Sequence, residues 1–192
     1  ERIGKFDIPE VTPILPSPKE TFYRNKLEFT FTHRRWLTQD EINTEGEITQ
    51  VYGLGLHVPK KFDKVVDIQK CYLQPDPSND IRNAIRDFAI KKGYSFFDIR
   101  NQEGFLRNLI IRTSETGEVM VIVVFFFDDA EARNSLLDYI ADTFPEVTSL
   151  MYIINEKKND SIDDQEVVLH KGRNYIFEQM DGLQFKIGAK SF

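Results

Sequence analysis

The chain has a single cysteine, Cys71. It can form no intrachain disulfide, which excludes a secreted disulfide scaffold, and one thiol makes no metal site by itself. Long apolar runs are missing too: the longest, Val119–Phe127, is too short for a membrane helix. The opening Glu1-Arg2-Ile3-Gly4-Lys5 has no signal-peptide pattern, so the expected location is cytoplasmic, away from any membrane. No glycine-rich loop joins a strand to a helix, which leaves a dinucleotide or phosphate-loop site without support. Positive charge is not in excess. A formal net charge of −6 counts against a free-standing nucleic-acid binder and leaves room only for a local basic patch.

A recognisable catalytic set is also lacking. His33, His57 and His170 lie far apart with no ligand spacing. The pairs Asp128-Asp129 and Asp163-Asp164 fall at a helix start and in a loop, where capping and solvation account for them.

What is present is 192 residues, 41% hydrophobic and 29% charged, which suits one globular domain with a real core. Sixteen phenylalanines imply a well-filled interior or an aromatic surface. Residues 1–22 carry Pro9, Pro13, Pro16 and Pro18 and read as an extended proline-rich arm lying on another surface. Residues 23–192 read as one domain. From Arg24 the pattern alternates: Leu27, Phe29 and Phe31 point one way, and Arg24, Lys26, Glu28, Thr30, Thr32 and Arg34 the other. That is a half-buried strand. Thr38–Asn43 suits a helical turn with Thr38 as cap and Glu41 at the capping-box position. Val51–Val58 and Lys64–Gln69 suit short strands, with Gly53 and Gly55 marking a bulge.

The spacing of Ile81, Ile85, Phe88 and Ala89 predicts a helix closed by Gly93. A strand near Ser95–Ile99 is expected next. Phe105–Thr113 and Glu118–Phe127 form a hairpin turning at Gly117, and the second strand, apolar on both faces, should be central. Asp128 or Asp129 caps a second helix with a stripe of Leu136, Leu137, Ile140, Ala141 and Phe144, ended by Pro145. Thr148–Ile154, Glu166–Lys171, Tyr175–Glu178 and Leu183–Ile187 complete the strands. The fold class is therefore α+β: a mostly antiparallel sheet with two main helices.

The basic residues Arg24, Lys26, Arg34 and Arg35, then Lys60, Lys61 and Lys64, are of the type a phosphate backbone requires, although a solvated sheet face would look the same. Arg107 and Arg112 stand at opposite parity on the hairpin and should face opposite ways.

Phe22-Tyr23-Arg24-Asn25-Lys26-Leu27-Glu28-Phe29 resembles the Tyr-Arg-Asn-Lys segment of the RNA (uracil-5-)-methyltransferases. Val65-Val66-Asp67-Ile68-Gln69-Lys70-Cys71 resembles their valine-rich strand leading to a cysteine, and Leu106-Arg107-Asn108-Leu109-Ile110-Ile111-Arg112 their Leu-Arg-x-Leu-x-x-Arg segment. Ser149–Asn155 resembles a strand ending in an asparagine-containing loop. Gly182–Ile187 followed by Ser191-Phe192 resembles the start of a Ser-Phe-x-Gln-x-Asn motif, cut off after its Phe. The resemblance covers nearly the whole chain and is nearest to the 23S ribosomal RNA type.

The resemblance implies the central α+β domain of such an enzyme, without the barrel, the cysteine-rich motif or the S-adenosylmethionine domain. The nucleophilic cysteine, the general base and the S-adenosylmethionine pocket would lie outside the chain, which would be inactive as a fragment. The implied parent reaction flips a uridine out of its stack, adds a cysteine at C6, methylates C5 and removes the C5 proton. The implied partners are ribosomal RNA, in preference to tRNA, and the other domains of the same polypeptide. Arg24 matches a substrate-RNA contact and Phe192 a residue beside the target nucleotide; Lys26, Arg107 and Arg112 are further candidates for RNA contact or structural support. Cys71 matches the fourth ligand of a [4Fe–4S] cluster in the full-length protein; with the other three ligands absent, no cluster is expected in this chain. The rival readings are a non-catalytic RNA-binding or protein-interaction module, and a small α+β enzyme with an unseen site.

Overall fold

The structure, a computed structural model, describes residues 3–5, 10–43, 48 and 51–191. The elements run β1 (Lys26–Thr32), α1 (Gln39–Asn43), β2 (Gly53–His57), β3 (Val65–Asp67), α2 (Ser78–Lys92), β4 (Leu106–Thr113), β5 (Val119–Phe125), α3 (Ala130–Thr143), β6 (Val147–Ile154), β7 (Val168–Gly172), β8 (Tyr175–Met180) and β9 (Leu183–Gly188). Seven strands form one sheet in the order β3-β2-β1-β4-β5-β6-β7, and β8-β9 is a separate hairpin. Every pairing in the large sheet is antiparallel except β5 with β6, which are parallel because α3 carries the chain back across the sheet. This is the expected α+β architecture.

The alternation in β1 buries Leu27, Phe29 and Phe31 against α2 and α3, whose Ile81, Ile85, Ala89, Leu136, Leu137 and Ile140 complete the main core. Phe31 meets Phe96 edge-on, with ring centroids 5.0 Å apart. A second, smaller cluster lies on the opposite face: Ile110, Met120, Ile122, Val124, Met151 and Ile153, covered by Ile176 of β8, Ile187 of β9 and Ile162 of the loop after β6. With apolar side chains on both faces, β5 is buried throughout and central, as its composition requires.

Local signals hold at most ends. The capping box forms: the Thr38 amide donates to Glu41 Oε2 at 2.8 Å, and the Glu41 amide donates to Thr38 Oγ1 at 3.3 Å. Asp129, rather than Asp128, caps α3, accepting from the Ala132 amide at 3.0 Å. Gly117 turns the β4–β5 hairpin at φ 80°.

Four expectations are corrected. Residues 95–99 form no strand; Phe96 and Asp98 make only isolated bridges to Leu106 and Glu103. Gly55 marks a close approach instead of a bulge: the β1–β2 register is unbroken, and a Cβ there would stand 1.9 Å from the Val66 carbonyl oxygen. β1 ends at Thr32, which is buried and accepts from the Arg34 amide at 3.0 Å, so Arg34 does not continue the face of Lys26. Parity also fails in β4. A register shift between Leu106 and Asn108 breaks the alternation, and Arg107 turns to the loop after β6, whose Ile162 packs on the same sheet face that Arg112 occupies. The described residues of the arm, 3–5 and 10–22, are exposed and form no helix or strand. Among the described residues, no helix is long and apolar enough to cross a membrane.

Candidate nucleic-acid interface

The 22–26 segment enters the sheet at a fixed position. The Phe22 amide donates to the Tyr72 carbonyl at 2.7 Å and the Arg24 amide to the Leu73 carbonyl at 2.8 Å. The buried Gln74 then uses one carboxamide to donate to the carbonyls of Asn25 (3.2 Å) and Ile111 (3.0 Å), while its oxygen accepts from Ser78 at 2.6 Å. This ties the start of β1 to the end of β4, where Lys26 pairs in register with Arg112.

Exposed along this edge are Arg24, Lys26, Tyr23 and the neighbouring rings of Phe22 and Tyr72, 6.0 Å apart, with the Lys70 ammonium 5.2 Å from the Tyr72 centroid. Cationic groups interleaved with exposed rings suit an unpaired nucleic-acid strand.

Beside Lys26 the sheet opens into a cleft of about 120 Å³ lined by Asn25, Lys26, Arg112, Thr113, Ile176, Glu178 and Ile187. Its far wall is the β8–β9 hairpin, latched to the β4–β5 turn. Thr116 Oγ1 donates to the Phe177 carbonyl at 2.8 Å, the Glu115 amide donates to Glu178 Oε1 at 3.1 Å, and the Phe177 amide donates to Glu118 Oε2 at 2.7 Å. Glu118 also pairs with Arg173, and that contact, ahead of the Phe177 amide, holds its carboxyl below the usual range against the opposing effect of burial.

The candidate residues separate into two groups. Arg24 and Lys26 are exposed and lie together. Arg107 and Arg112 are 3% and 6% exposed. Arg107 donates to the carbonyls of Asn155 (2.8 Å) and Lys157 (2.6 Å) and lies against Phe97, 4.6 Å from its centroid. Burial lowers its pKa while Asp160 raises it. Arg112 donates to the Ser191 carbonyl from one terminal nitrogen, and burial alone pushes its pKa down. Phe192 lies outside the described residues. The remaining basic residues do not join this site as one patch: Arg35 is bound by Glu41 at 2.5 and 3.0 Å, and Arg34, Lys60 and Lys61 are exposed outside the cleft.

Sequence reasoning missed Asn25, Thr113, Glu178 and the positioning role of Gln74. Asn25 lay inside a quoted motif. Glu178 and Gln74 reach the site through long-range hydrogen bonds that no local pattern announces.

Cys71 is 5% exposed, with its amide donating to Asn79 Oδ1 at 2.7 Å and its carbonyl accepting from Asn79 Nδ2 at 3.2 Å. Among the described residues no group of three or more His, Cys, Asp or Glu could hold a metal ion. A [4Fe–4S] cluster takes four ligands, so one thiol does not fit such a group in this chain alone. The histidines pair separately: His33 with Asp98 at 3.2 Å, His170 with Asp138 at 2.8 Å, and His57 with Thr30 at 3.2 Å. They assemble no catalytic set.

No family model matches the chain. Over its whole length it is 56% identical across 194 residues to an uncharacterized RNA methyltransferase of Bacteroides thetaiotaomicron. It is 53% identical across 196 residues to another of Porphyromonas gingivalis, and 36% across 196 residues to one of Chlorobaculum tepidum. It spans 43%, 42% and 40% of those proteins. In fold it is similar to the tRNA (uracil-54, C5)-methyltransferase of Pyrococcus abyssi, solved with S-adenosyl-L-homocysteine. The TM-score is 0.65 at 24% identity, covering 93% of this chain and 38% of that one.

Proposed function

We propose that this chain is the central, substrate-handling domain of an S-adenosylmethionine-dependent RNA (uracil-5-)-methyltransferase of the 23S ribosomal RNA type, inactive by itself. Residues 23–192 are the domain and residues 1–22 an arm reaching toward a neighbouring part of the same polypeptide. One observation carries the reading. A chain whose full length is similar to part of proteins named RNA methyltransferases also presents Arg24, Lys26 and exposed rings along a single edge, beside an open cleft.

In this reading the domain contributes binding and orientation. S-adenosylmethionine, held outside the chain, supplies the methyl group. Arg24 contacts the RNA strand from the exposed segment that leads into β1, and Phe192 stands beside the target nucleotide. Lys26 adds charge at the cleft, while Arg107 acts as support by holding the loop after β6. The cluster assignment for Cys71 belongs to the full-length protein alone. The net charge of −6 accords with a domain of which only one edge meets RNA.

The test uses the full-length protein. Arg24→Ala should lower methylation and RNA affinity about tenfold, the scale of one lost RNA contact, with an unchanged melting temperature. Mapping 5-methyluridine in ribosomal RNA and tRNA from a strain lacking the gene identifies the substrate. Loss from 23S RNA is expected, and loss from tRNA alone would overturn the ribosomal assignment. Full methylation by the Arg24 variant would remove Arg24 from the interface.

A further inference from the structure

We infer that the cleft between the Lys26–Arg112 end of the large sheet and the β8–β9 hairpin binds one phosphodiester group of an RNA strand, with Arg112 as its buried cationic floor and Lys26 as its rim. This rests on the proposed RNA-handling role and adds to it a specific site and the chemical group it takes.

Among the described residues, Arg112 carries an uncompensated charge. Arg112 is 6% exposed, yet none of the ion pairs among the described residues involves it, and no neighbouring acid offsets the effect of its burial. Among the described residues its buried Nε has no hydrogen-bond partner. The one described acceptor is the Ser191 carbonyl, met by a terminal nitrogen. Other buried arginines are better supplied. Arg86 pairs with Asp67 at 3.2 Å, Arg133 pairs with Asp128 at 3.1 Å, and Arg107 has two carbonyls with Asp160 nearby. Arg82 also leaves one nitrogen unpartnered among the described residues, but it donates to Ile68, Gln69 and Asn79 and does not line the cleft. Arg112 is the buried arginine that lines a cleft.

A desolvated guanidinium without a counter-ion is costly, and an anion entering the cleft relieves that cost. The cleft, about 120 Å³, has room for about four waters, enough for a phosphate group but not for a folded side chain and its neighbours. Ile176 and Ile187 form an apolar wall that lowers the local dielectric and strengthens the attraction. Asn25 and Thr113 complete the lining. The one acid in the lining, Glu178, is engaged by the amides of Glu115 at 3.1 Å and Gln179 at 2.8 Å, which offset its charge. A guanidinium backed by an ammonium at the rim is the donor set of a phosphate site. Exposed Arg24 stands two residues before Lys26 in the chain, so a strand that meets Arg24 can lay a neighbouring phosphodiester in the cleft.

The test is side-chain nitrogen NMR of the chain, titrated with hexauridylate and, separately, with inorganic phosphate. The Arg112 Nε–H signal is assigned by its loss in Arg112→Lys. Hexauridylate should shift that signal saturably, at concentrations at least about tenfold below those at which inorganic phosphate does, a gap set by the strand's other contacts. Lys26→Gln, an exposed change that leaves the fold intact, should weaken hexauridylate binding about fivefold and flatten the log affinity–log salt slope by about 0.7. Hexauridylate binding that leaves the Arg112 signal and the Lys26→Gln affinity unchanged would overturn this site while sparing the RNA-handling role. Binding of phosphate as tight as hexauridylate would make it a free-anion site and overturn the strand assignment. Absence of any hexauridylate binding would sink the RNA-handling role and this site with it.

Discussion

The two faces of the seven-stranded sheet are built on different terms. One is sealed by α2 and α3 over a continuous core from Leu27 to Leu150. The other is covered by a two-stranded hairpin and a loop over six buried apolar residues of the sheet. The helix side is held by area and shape. The hairpin side is held by a few directional contacts, Thr116 to Phe177, Glu115 to Glu178 and Glu118 to Phe177 and Arg173, and it carries the open cleft. The difference separates a layer closed by helix packing from one where a cleft stays open beside Lys26 and Arg112; under the proposed function, stability resides in the first and recognition in the second.

The largest effect that sharpens this contrast is Phe31→Ala. The ring is fully buried against Phe96, and its loss should cost about 3–5 kcal/mol of global stability, read by urea denaturation. Ile176→Ala, in the smaller cluster, should cost about 2 kcal/mol. Hydrogen exchange should locate that loss in β8 and β9, with the amides of β4 and β5 retaining protection; equal loss in both would break the distinction between the faces.

Acid should act on the same latch. The Glu118 carboxyl lies below its ordinary value of 4.5, because of Arg173 first and then the Phe177 amide. An acid with a depressed pKa stabilises the fold fully above the ordinary value, and that contribution fades as pH falls through the lowered one. Protection of the β8–β9 amides should therefore decline below about pH 4.5. Glu118→Gln should reduce it already at neutral pH, by about 1–2 kcal/mol for a lost charge-assisted hydrogen bond, and should flatten the acid dependence. An unchanged pH profile in that variant would remove Glu118 as the latch. The smallest stability effect belongs to the exposed edge: Arg24→Ala should change stability by less than about 0.5 kcal/mol while weakening RNA binding.

Much of this division could be read in the chain before its coordinates. Alternation in Lys26–Thr32, the two helical stripes and the doubly apolar Val119–Phe125 specified the sheet, its covering helices and its central strand, because burial imposes those periods. The exposure of Lys26 followed from the same alternation, whereas Arg24 precedes the strand and is exposed outside it. Arg107 and Arg112 were harder. One β-bulge at Leu106–Asn108 reversed the facing expected of Arg107, and the burial of both depends on loops and a hairpin up to 79 residues away. The cleft itself was not legible at all. It is made by Gln74 tying Asn25 to Ile111 and by the hairpin docking on the β4–β5 turn, and such long-range contacts leave no period in a sequence.

Hydrogen–deuterium exchange of the chain with and without a single-stranded ribosomal RNA fragment tests the separation of faces most directly. New protection should fall on residues 22–26, on the 112–117 turn and on the β8–β9 hairpin, with α2 and α3 unchanged. Protection concentrated on α2 and α3 instead, with the Arg24 edge unaffected, would contradict the account.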